Sequence, residues 1–427
     1  KIAIGRCRES WMVGSRRENG VSQGGSGGFY EAFDRQKLNT FDPDDFKSRM
    51  LDFCRANQVA ADALIAGNIQ LLGLEAMREQ FGSRWGKARD QVHQLTETMI
   101  KSILTPNDVF VQTGDDNFII LFGRATLEQA DVQVKQISTE MNRRMKSIGS
   151  AGAMITARAL VLDVPRDDTS ALSTPAGLTG SVETAHQELE ARDRKIFEQA
   201  QDELETRFWP IANVTKRLVS MYLVRLEGPA GPLLADRSET GALEAMRDIR
   251  ILREGSETLN QDGLGRAFMV VPVDFITISD KRYRVDYLKQ CHDLYGAAAK
   301  RMILMIEGLP DDVSPAKLHN TLSYVGPFFA GFIAEFGMDF DGGERLDINK
   351  LIAVAVSGTS FEEATPAVTM GLSGFKKRNG ARKSRTIFTN APNPKIASAA
   401  RRARFDYVQG VGVAPAFQKF GRTFTIS

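Results

Sequence analysis

The sequence predicts an α/β fold made of a small α/β domain, a connector helix and then a parallel (β/α) barrel. Three observations predict it. Between about residues 40 and 165, helical and strand patterns alternate around "VFVQTGDDNFIILF", where two apolar β-prone runs flank Gly114, Asp115, Asp116 and Asn117. A long charged segment follows, with opposite charges four residues apart. From Trp209 the alternation of strand and helix restarts and runs for about 220 residues, the pattern of a parallel barrel.

Taken in order, residues 1–35 read as an irregular arm, because "GVSQGGSGGF" is too rich in Gly and Ser to pack. "DPDDFKSRMLDFCRAN" reads as a helix opened by a proline and acidic first-turn residues. "VAADALIAGNIQLLGLEAMREQF" fits strand or helix. "GKARDQVHQLTETMIKSIL" is an amphipathic helix with Val92, Leu95, Met99 and Ile103 on one stripe. The hairpin comes next, then a helix at "LEQADVQVKQISTEMNRRMKSI" and a strand at "AGAMITARALVLDV". Residues 165–180 form a loop by composition, after which Ser181 is placed to cap the helix "VETAHQELEARDRKIFEQAQDELETRF". Glu188 with Arg192 and Glu190 with Arg194 are its expected ion pairs, and Leu189, Ile196, Ala200 and Leu204 its apolar positions. "RLVSMYLVRL", "RAFMVVPVDFITI", "AKRMILMIEGL", "LIAVAVSG" and "RKSRTIFTN" supply barrel strands, with helices at "ETGALEAMRDIRILREGSE" and "AKLHNTLSYVGPF". The expected divisions are 1–35, 36–165, 166–207 and 208–427.

Composition bounds the function only loosely. The 427 residues are 42% hydrophobic and 25% charged, as in ordinary globular chains, and the length suits about two or three domains. A net charge of +2 gives no global field for nucleic acid or a membrane surface. No apolar run approaches the length of a membrane span. Cys7, Cys54 and Cys291 are far apart and read as reduced thiols, and His93, His186, His292 and His319 lack metal-site spacing. A first residue of lysine is what a fragment or a trimmed chain would show.

Order and spacing over roughly residues 40–420 resemble the tandem GGDEF–EAL proteins of bacterial cyclic di-GMP signalling. The hairpin signature of that family corresponds to Gly114-Asp115-Asp116-Asn117-Phe118, with the second glycine replaced by Asp115 and the last acid by Asn117. An asparagine cannot offer Mg²⁺ a carboxylate. Upstream, Phe81-Gly82 and Gly86 resemble F-G-H-x-x-G-D, which puts Gln70 or Leu72 at the family's metal-binding aspartate and Arg78 at its guanine-reading asparagine. Its inhibitory R-x-x-D is reduced to Thr105-Pro106-Asn107-Asp108.

The second half resembles the EAL barrel in the same depleted way. Where that family has E-A-L-x-R, Met221-Tyr222-Leu223-Val224-Arg225 keeps only the leucine and the phosphate-contacting arginine. Val273-Asp274-Phe275-Ile276 resembles V-N-L-S, Glu307-Gly308-Leu309-Pro310 resembles E-I-T-E without its second acid, and Lys350-Leu351-Ile352 resembles K-I-D. Thr389-Asn390-Ala391-Pro392-Asn393 stands at A-E-G-V-E, and no match to the double aspartate is found. The closing Phe405-Asp406-Tyr407-Val408-Gln409-Gly410, with Pro415 after it, is the best match.

The resemblance implies a degenerate GGDEF-like domain over 36–165, a linker and connector helix over 166–207 and a degenerate EAL-like TIM-type barrel over 208–427. Hydrolysis in that family needs two metals, so it also implies a pseudo-enzyme with no catalytic residue and no metal site, acting as a regulatory or scaffold protein through protein partners. The alternative is a non-hydrolysing cyclic di-GMP receptor, with Arg225, Asp274, Glu307, Lys350 and Gln409 lining the site. No cofactor is expected, and Mg²⁺ enters only if ligand binding is retained. A bacterial cytoplasmic setting, recruitment to a larger assembly or the membrane face, and a homodimer are further implications.

Bland alternatives stand beside these. Gly-Asp-Asp-Asn is good turn chemistry without any ligand, a Glu307–Lys350 ion pair could close the barrel mouth, and Gln409 could only anchor the last loop. Independently of the family, residues 376–404 carry ten Lys or Arg and no acid: Lys376, Lys377, Arg378, Arg382, Lys383, Arg385, Lys395, Arg401, Arg402 and Arg404. A solvated helical face or an acidic or phosphate-bearing partner fits this patch. Nucleic acid fits less well, since Phe388 is the only aromatic residue in it.

Overall fold

The computed structural model describes residues 43–425 apart from 57–62, 73–77, 79–80, 148–153, 164–171, 229–230, 233–239, 262–265, 295–299, 311–312, 314, 342–345, 347 and 381–384. The expected arm over 1–35 lies outside the described residues, as do Arg382 and Lys383. The described residues belong to one compact unit.

The first lobe is a four-stranded sheet of β1 (Ala63–Leu72), β2 (Val109–Gln112), β3 (Asn117–Phe122) and β4 (Met154–Asp163) in the order β2-β3-β1-β4, with antiparallel pairings. The ambiguous run is therefore a strand. Its alternation sends Leu64 and Ala66 to one face and Ile69 and Leu71 to the other. Helices α2 (Trp85–Ile103) and α3 (Leu127–Ser147) cover the Ile69 face through Val92, Met99, Val134 and Ile137. Helices α1 (Pro43–Ala56) and α4 (Pro175–Ala200) cover the Leu64 face through Phe46, Met50, Leu178 and Val182.

Helix α4 starts six residues before the expected cap. Thr174 is its N-cap, accepting from the Gly177 amide at 3.0 Å, and Pro175 opens the first turn. Ser181 lies inside the helix and donates to the Gly177 carbonyl. The helix ends at Ala200, so Glu205–Phe208, expected to be helical, belongs to a strand. The buried stripe is Leu178, Val182, Ala185, Asp193 and Phe197, while Ile196 is 41% exposed. Glu190 turns to the barrel rather than to Arg194: it accepts from Tyr283 Oη at 2.7 Å and lies 3.3 Å from Arg282.

The second lobe is a closed eight-stranded barrel. Its strands are β5 (Glu205–Asn213), β6 (Leu218–Gly228), β8 (Phe268–Asp274), β9 (Met302–Glu307), β10 (Gly331–Glu335), β11 (Leu351–Ser357), β12 (Arg385–Thr389) and β13 (Tyr407–Gln409), and a β6–β8 pairing closes the ring. The short β7 (Gly231–Pro232) and β14 (Phe424–Thr425) pair with β6 outside it. Seven barrel strands are parallel; β5 runs antiparallel to both neighbours. The expectation of an all-parallel barrel fails there because only residues 214–217 separate β5 from β6, enough for a hairpin and too few for a crossover.

Helices α5 (Ala242–Asn260), α6 (Phe275–Ser279), α7 (Lys281–His292), α8 (Pro315–Val325), α9 (Pro366–Asn379) and α10 (Pro394–Arg402) pack outside. The "FITI" expected to extend β8 is helix α6, because the Asp274 side chain caps it by accepting from the Ile276 amide. Ile211, Leu223, Val270, Met305, Ile333 and Ile387 fill the inside of the ring.

One carboxylate ties the last strands together. Asp406 accepts from Lys376 Nζ at 2.7 Å and from the Thr386 amide and hydroxyl at 2.9 and 3.0 Å. Burial raises its pKa, but these donors outweigh burial and hold the carboxyl below its ordinary value. Its stabilising effect is therefore complete at neutral pH and is lost as pH falls through the carboxylate range. Asp406→Ala should lower unfolding stability by about 2 kcal/mol. In urea titrations, the gap between native chain and Asp406→Asn should be widest near neutrality and shrink below about pH 4.

Candidate functional site

Parity along the strands decides which side chains reach the barrel mouth. Met221 and Leu223 on β6, Val270 on β8, Ile303 and Met305 on β9, and Ile333 on β10 point into the ring. Two residues further on β6, β9 and β10, and four further on β8, the same parity presents Arg225, Glu307, Glu335 and Asp274 at the C-terminal ends. Ser357, Thr389 and Gln409 complete the layer from β11, β12 and β13. In parallel barrels this C-terminal face is where reactive groups gather.

The two central charges meet each other. Arg225 Nη1 donates to Glu307 Oε2 at 2.8 Å, and Nη2 donates to Glu307 Oε1, a forked pair with side chains 17% and 14% exposed. Burial opposes the Arg225 charge, but Glu307 and then Glu335 outweigh it and hold the guanidinium firmly protonated. Beside them, Arg247 of α5 donates from Nε and Nη2 to Asp248 Oδ1 at 2.9 and 2.7 Å. Asp248 Oδ2 accepts from the Asp274 amide and from Thr277 Oγ1, each at 2.7 Å. Its complete burial pushes the Asp248 carboxyl up, against the pull of Arg247. Thr389 Oγ1 donates to Glu335 at 2.7 Å.

These contacts bear on whether the mouth fits the two-metal chemistry of the family that the chain resembles. Met221 is buried and apolar inside the ring, Glu307 is held by a guanidinium, and Asp274 caps a helix. A hard divalent cation wants several free anionic oxygens, and these residues do not offer them. Among the described residues, no group of three His, Cys, Asp or Glu side chains could hold a metal ion.

Two expected site residues do other work. Lys350 precedes β11 and so stands at the opposite, N-terminal end of the barrel from Glu307. Its ammonium donates to the carbonyls of Gly326 at 2.8 Å and Phe329 at 3.0 Å, so both its place in the site and the Glu307–Lys350 pair are corrected. The K-I-D resemblance misled because it matches residue type without fixing which strand end the lysine occupies. Gln409 is 2% exposed, and its side-chain oxygen accepts from the Asn390 amide at 2.8 Å, anchoring the loop after β12. Gly410 follows with φ of 133°, where a Cβ would come within 2.2 Å of the Ala391 nitrogen.

The hairpin between β2 and β3 is locked by the lobe's own groups. The Thr113 amide donates to the Asn117 carbonyl, Asn117 Nδ2 donates to Thr113 Oγ1, and Gln112 Nε2 donates to the Gly114 carbonyl, all at 3.0 Å. From α2, His93 donates through Nε2 to the Asp115 carbonyl at 2.7 Å, and Arg89 lies 3.5 Å from the Asp115 carboxylate. Asp116 accepts at its carbonyl from the Leu71 amide, and Phe118 is fully buried. Asp108, compared above with the acid of R-x-x-D, is a buried staple that accepts from the Thr105 and Gly123 amides. Asp116 and Asn117 nevertheless share the wall of a cavity of about 700 Å³ with Asp274 and Pro310 of the barrel and Glu190 of α4.

Sequence reasoning missed Arg247, Asp248 and Glu335. An acid closing the apolar run "GFIAE" could have flagged Glu335; nothing in the helical pattern of α5 distinguishes Arg247 and Asp248 from surface charges. The basic segment is not one helical face. Lys376 and Arg385 reach Asp406, Arg378 donates to the Met338 and Phe340 carbonyls, and Arg402 donates to Ser398. Lys377, Arg401 and Arg404 are exposed.

The mouth pair makes a quantitative prediction. Arg225→Met leaves Glu307 buried without its cation and should cost about 3–5 kcal/mol of stability. Arg225→Met combined with Glu307→Leu should recover most of that loss in denaturant titrations.

No family model matches the sequence, nor does any curated protein. Among solved structures, Vibrio cholerae LapD, a helix-GGDEF-EAL chain bound to c-di-GMP, is similar at 13% identity and a TM-score of 0.47, over 85% of this chain and 93% of that one. The Xanthomonas citri FimX EAL domain, in complex with c-di-GMP, is 18% identical with a TM-score of 0.41, over 56% of this chain and 100% of that one. The Pseudomonas aeruginosa FimX EAL domain, bound to c-di-GMP, is 13% identical with a TM-score of 0.39, over 53% and 97%. At this level of identity and overlap the matches carry no argument about ligand or activity.

Proposed function

We propose that this chain is a catalytically inactive regulatory or scaffold protein of the degenerate GGDEF–EAL type, acting through protein contacts. The observation that carries the reading is the Arg225–Glu307 fork: the acid at the centre of the barrel mouth is taken by a side chain of the same barrel. Asp248 and Asp274 are likewise committed to Arg247, Thr277 and backbone amides. A hydrolase would need those oxygens for two cations and a water. What remains is a rigid barrel joined by α4 to a second lobe, which suits a surface that others bind.

Incubation with cyclic di-GMP and Mg²⁺ or Mn²⁺ should give no hydrolysis. Metal-dependent turnover that disappears in Glu307→Gln would overturn the reading. Calorimetric titration with cyclic di-GMP separates the receptor alternative: a phosphate can reach Arg225 only by displacing Glu307, so binding tighter than about micromolar is not expected. Tight binding without turnover would make the chain a receptor.

A further inference from the structure

We infer that the N-terminal end of the barrel, opposite the mouth, is a docking face for an anionic phospholipid surface. The inference does not depend on the fate of the mouth. It begins with a pattern that appears only once the strands are placed. Six of the seven parallel strands have a Lys or Arg at their first position or within three residues before it: Arg217, Arg266, Lys300, Lys350, Arg385 and Arg404 lead into β6, β8, β9, β11, β12 and β13. All six are exposed. Strand order sets them around the ring rather than along a line.

The helices add to this end. Helices α9 and α10 finish there, and their last turns carry exposed Lys377, Arg401 and Arg402. Among the described residues the acids at this end offset only part of the charge: Asp406 is held by Lys376 and Arg385, Asp293 is exposed at the end of α7, and Asp339 and Asp341 are exposed on either side of Phe340, whose carbonyl accepts from Arg378 and Asn379 at the end of α9. The mouth, by contrast, gathers Asp248, Asp274, Glu307 and Glu335 around two arginines, Arg225 and Arg247, so acids outnumber cations there.

A second, independent observation is backbone strain. Only four non-glycine residues among those described have positive φ, and three of them belong to this ring: Arg217 at 50°, Lys350 at 66° and Arg404 at 62°. Glycine or asparagine takes that conformation at least cost, and a long cationic side chain there has no local conformational benefit. For Lys350 the reason is internal, since its ammonium holds two carbonyls. Arg404 stands just past α10, where the Phe405 amide donates to the Ala400 carbonyl, and Arg217 ends the β5–β6 hairpin, so the turns set these conformations while leaving the choice of arginine over glycine to the surface.

The shape of the patch selects the partner. Cations at six strand starts around the ring, with a gap at β10, can meet a planar anionic surface together, whereas an acidic peptide or one row of duplex phosphates meets an arc of them. Phe268, the first residue of β8, is 38% exposed at the same end and adds an apolar contact suited to the headgroup boundary.

The test is sedimentation of the 427-residue chain with vesicles of mixed phosphatidylglycerol and phosphatidylcholine. Binding should require phosphatidylglycerol and weaken as salt rises. Replacing both strained residues, Arg217→Gly with Arg404→Gly, should cut vesicle affinity by roughly tenfold or more while leaving the thermal midpoint unchanged or higher. Vesicle binding that the glycine pair leaves intact, equal binding to pure phosphatidylcholine, or no binding at all overturns the inference. So does retention by duplex DNA without vesicle binding, which would make the ring a phosphate-backbone reader instead.

Discussion

Removing an arginine and a glutamate from water inside a barrel is costly unless each satisfies the other, and Arg225 and Glu307 do so through a fork. That constraint organises the mouth. Parity sends both residues inward from β6 and β9, and the apolar layer of Leu223, Met305 and Ile333 beneath them leaves no other partner on that side. Arg247 and Asp248 from outside the ring, and Thr277 and Thr389 around it, then complete the hydrogen bonding of the neighbouring acids. The result is a polar plug built from pairs within the barrel lobe.

The lobes are joined by more than a tether. Helix α4 packs Leu178 and Val182 against the small sheet, while Glu190 reaches Tyr283 and the buried Asp193 accepts from Thr240. A helix held at both ends of its length transmits position rather than slack. The hairpin and the edge of the mouth, remote in sequence, border a common cavity as a result.

Much of the architecture was legible in advance because it rests on periodicity. The helix over Trp85–Ile103, the hairpin and the barrel strands follow from 3.6- and 2-residue spacing. Arg225, Asp274 and Glu307 were named together through the family resemblance alone; their shared parity shows only once the strand ends are placed. The connector helix was misplaced at both ends: a Thr-Pro pair six residues upstream made the better start, and β5 claimed residues whose charges read as helical. Lys350 was assigned to the wrong end of the barrel because residue type says nothing about strand direction.

By itself, then, the sequence left β1, β5, β10 and β13 open or misread, and determined most of the helices, the hairpin and five of the eight barrel strands. Those are properties of local spacing, and each needs only a neighbour a few residues away. Tertiary structure alone decided that Arg225 would spend its charge on Glu307, that Asp248 would enter the mouth from a helix, and that basic residues scattered in sequence would gather at one end of the barrel. Such pairings span tens of residues, here 82 between Arg225 and Glu307, and are settled only when the closing of the sheet fixes which strand ends become neighbours.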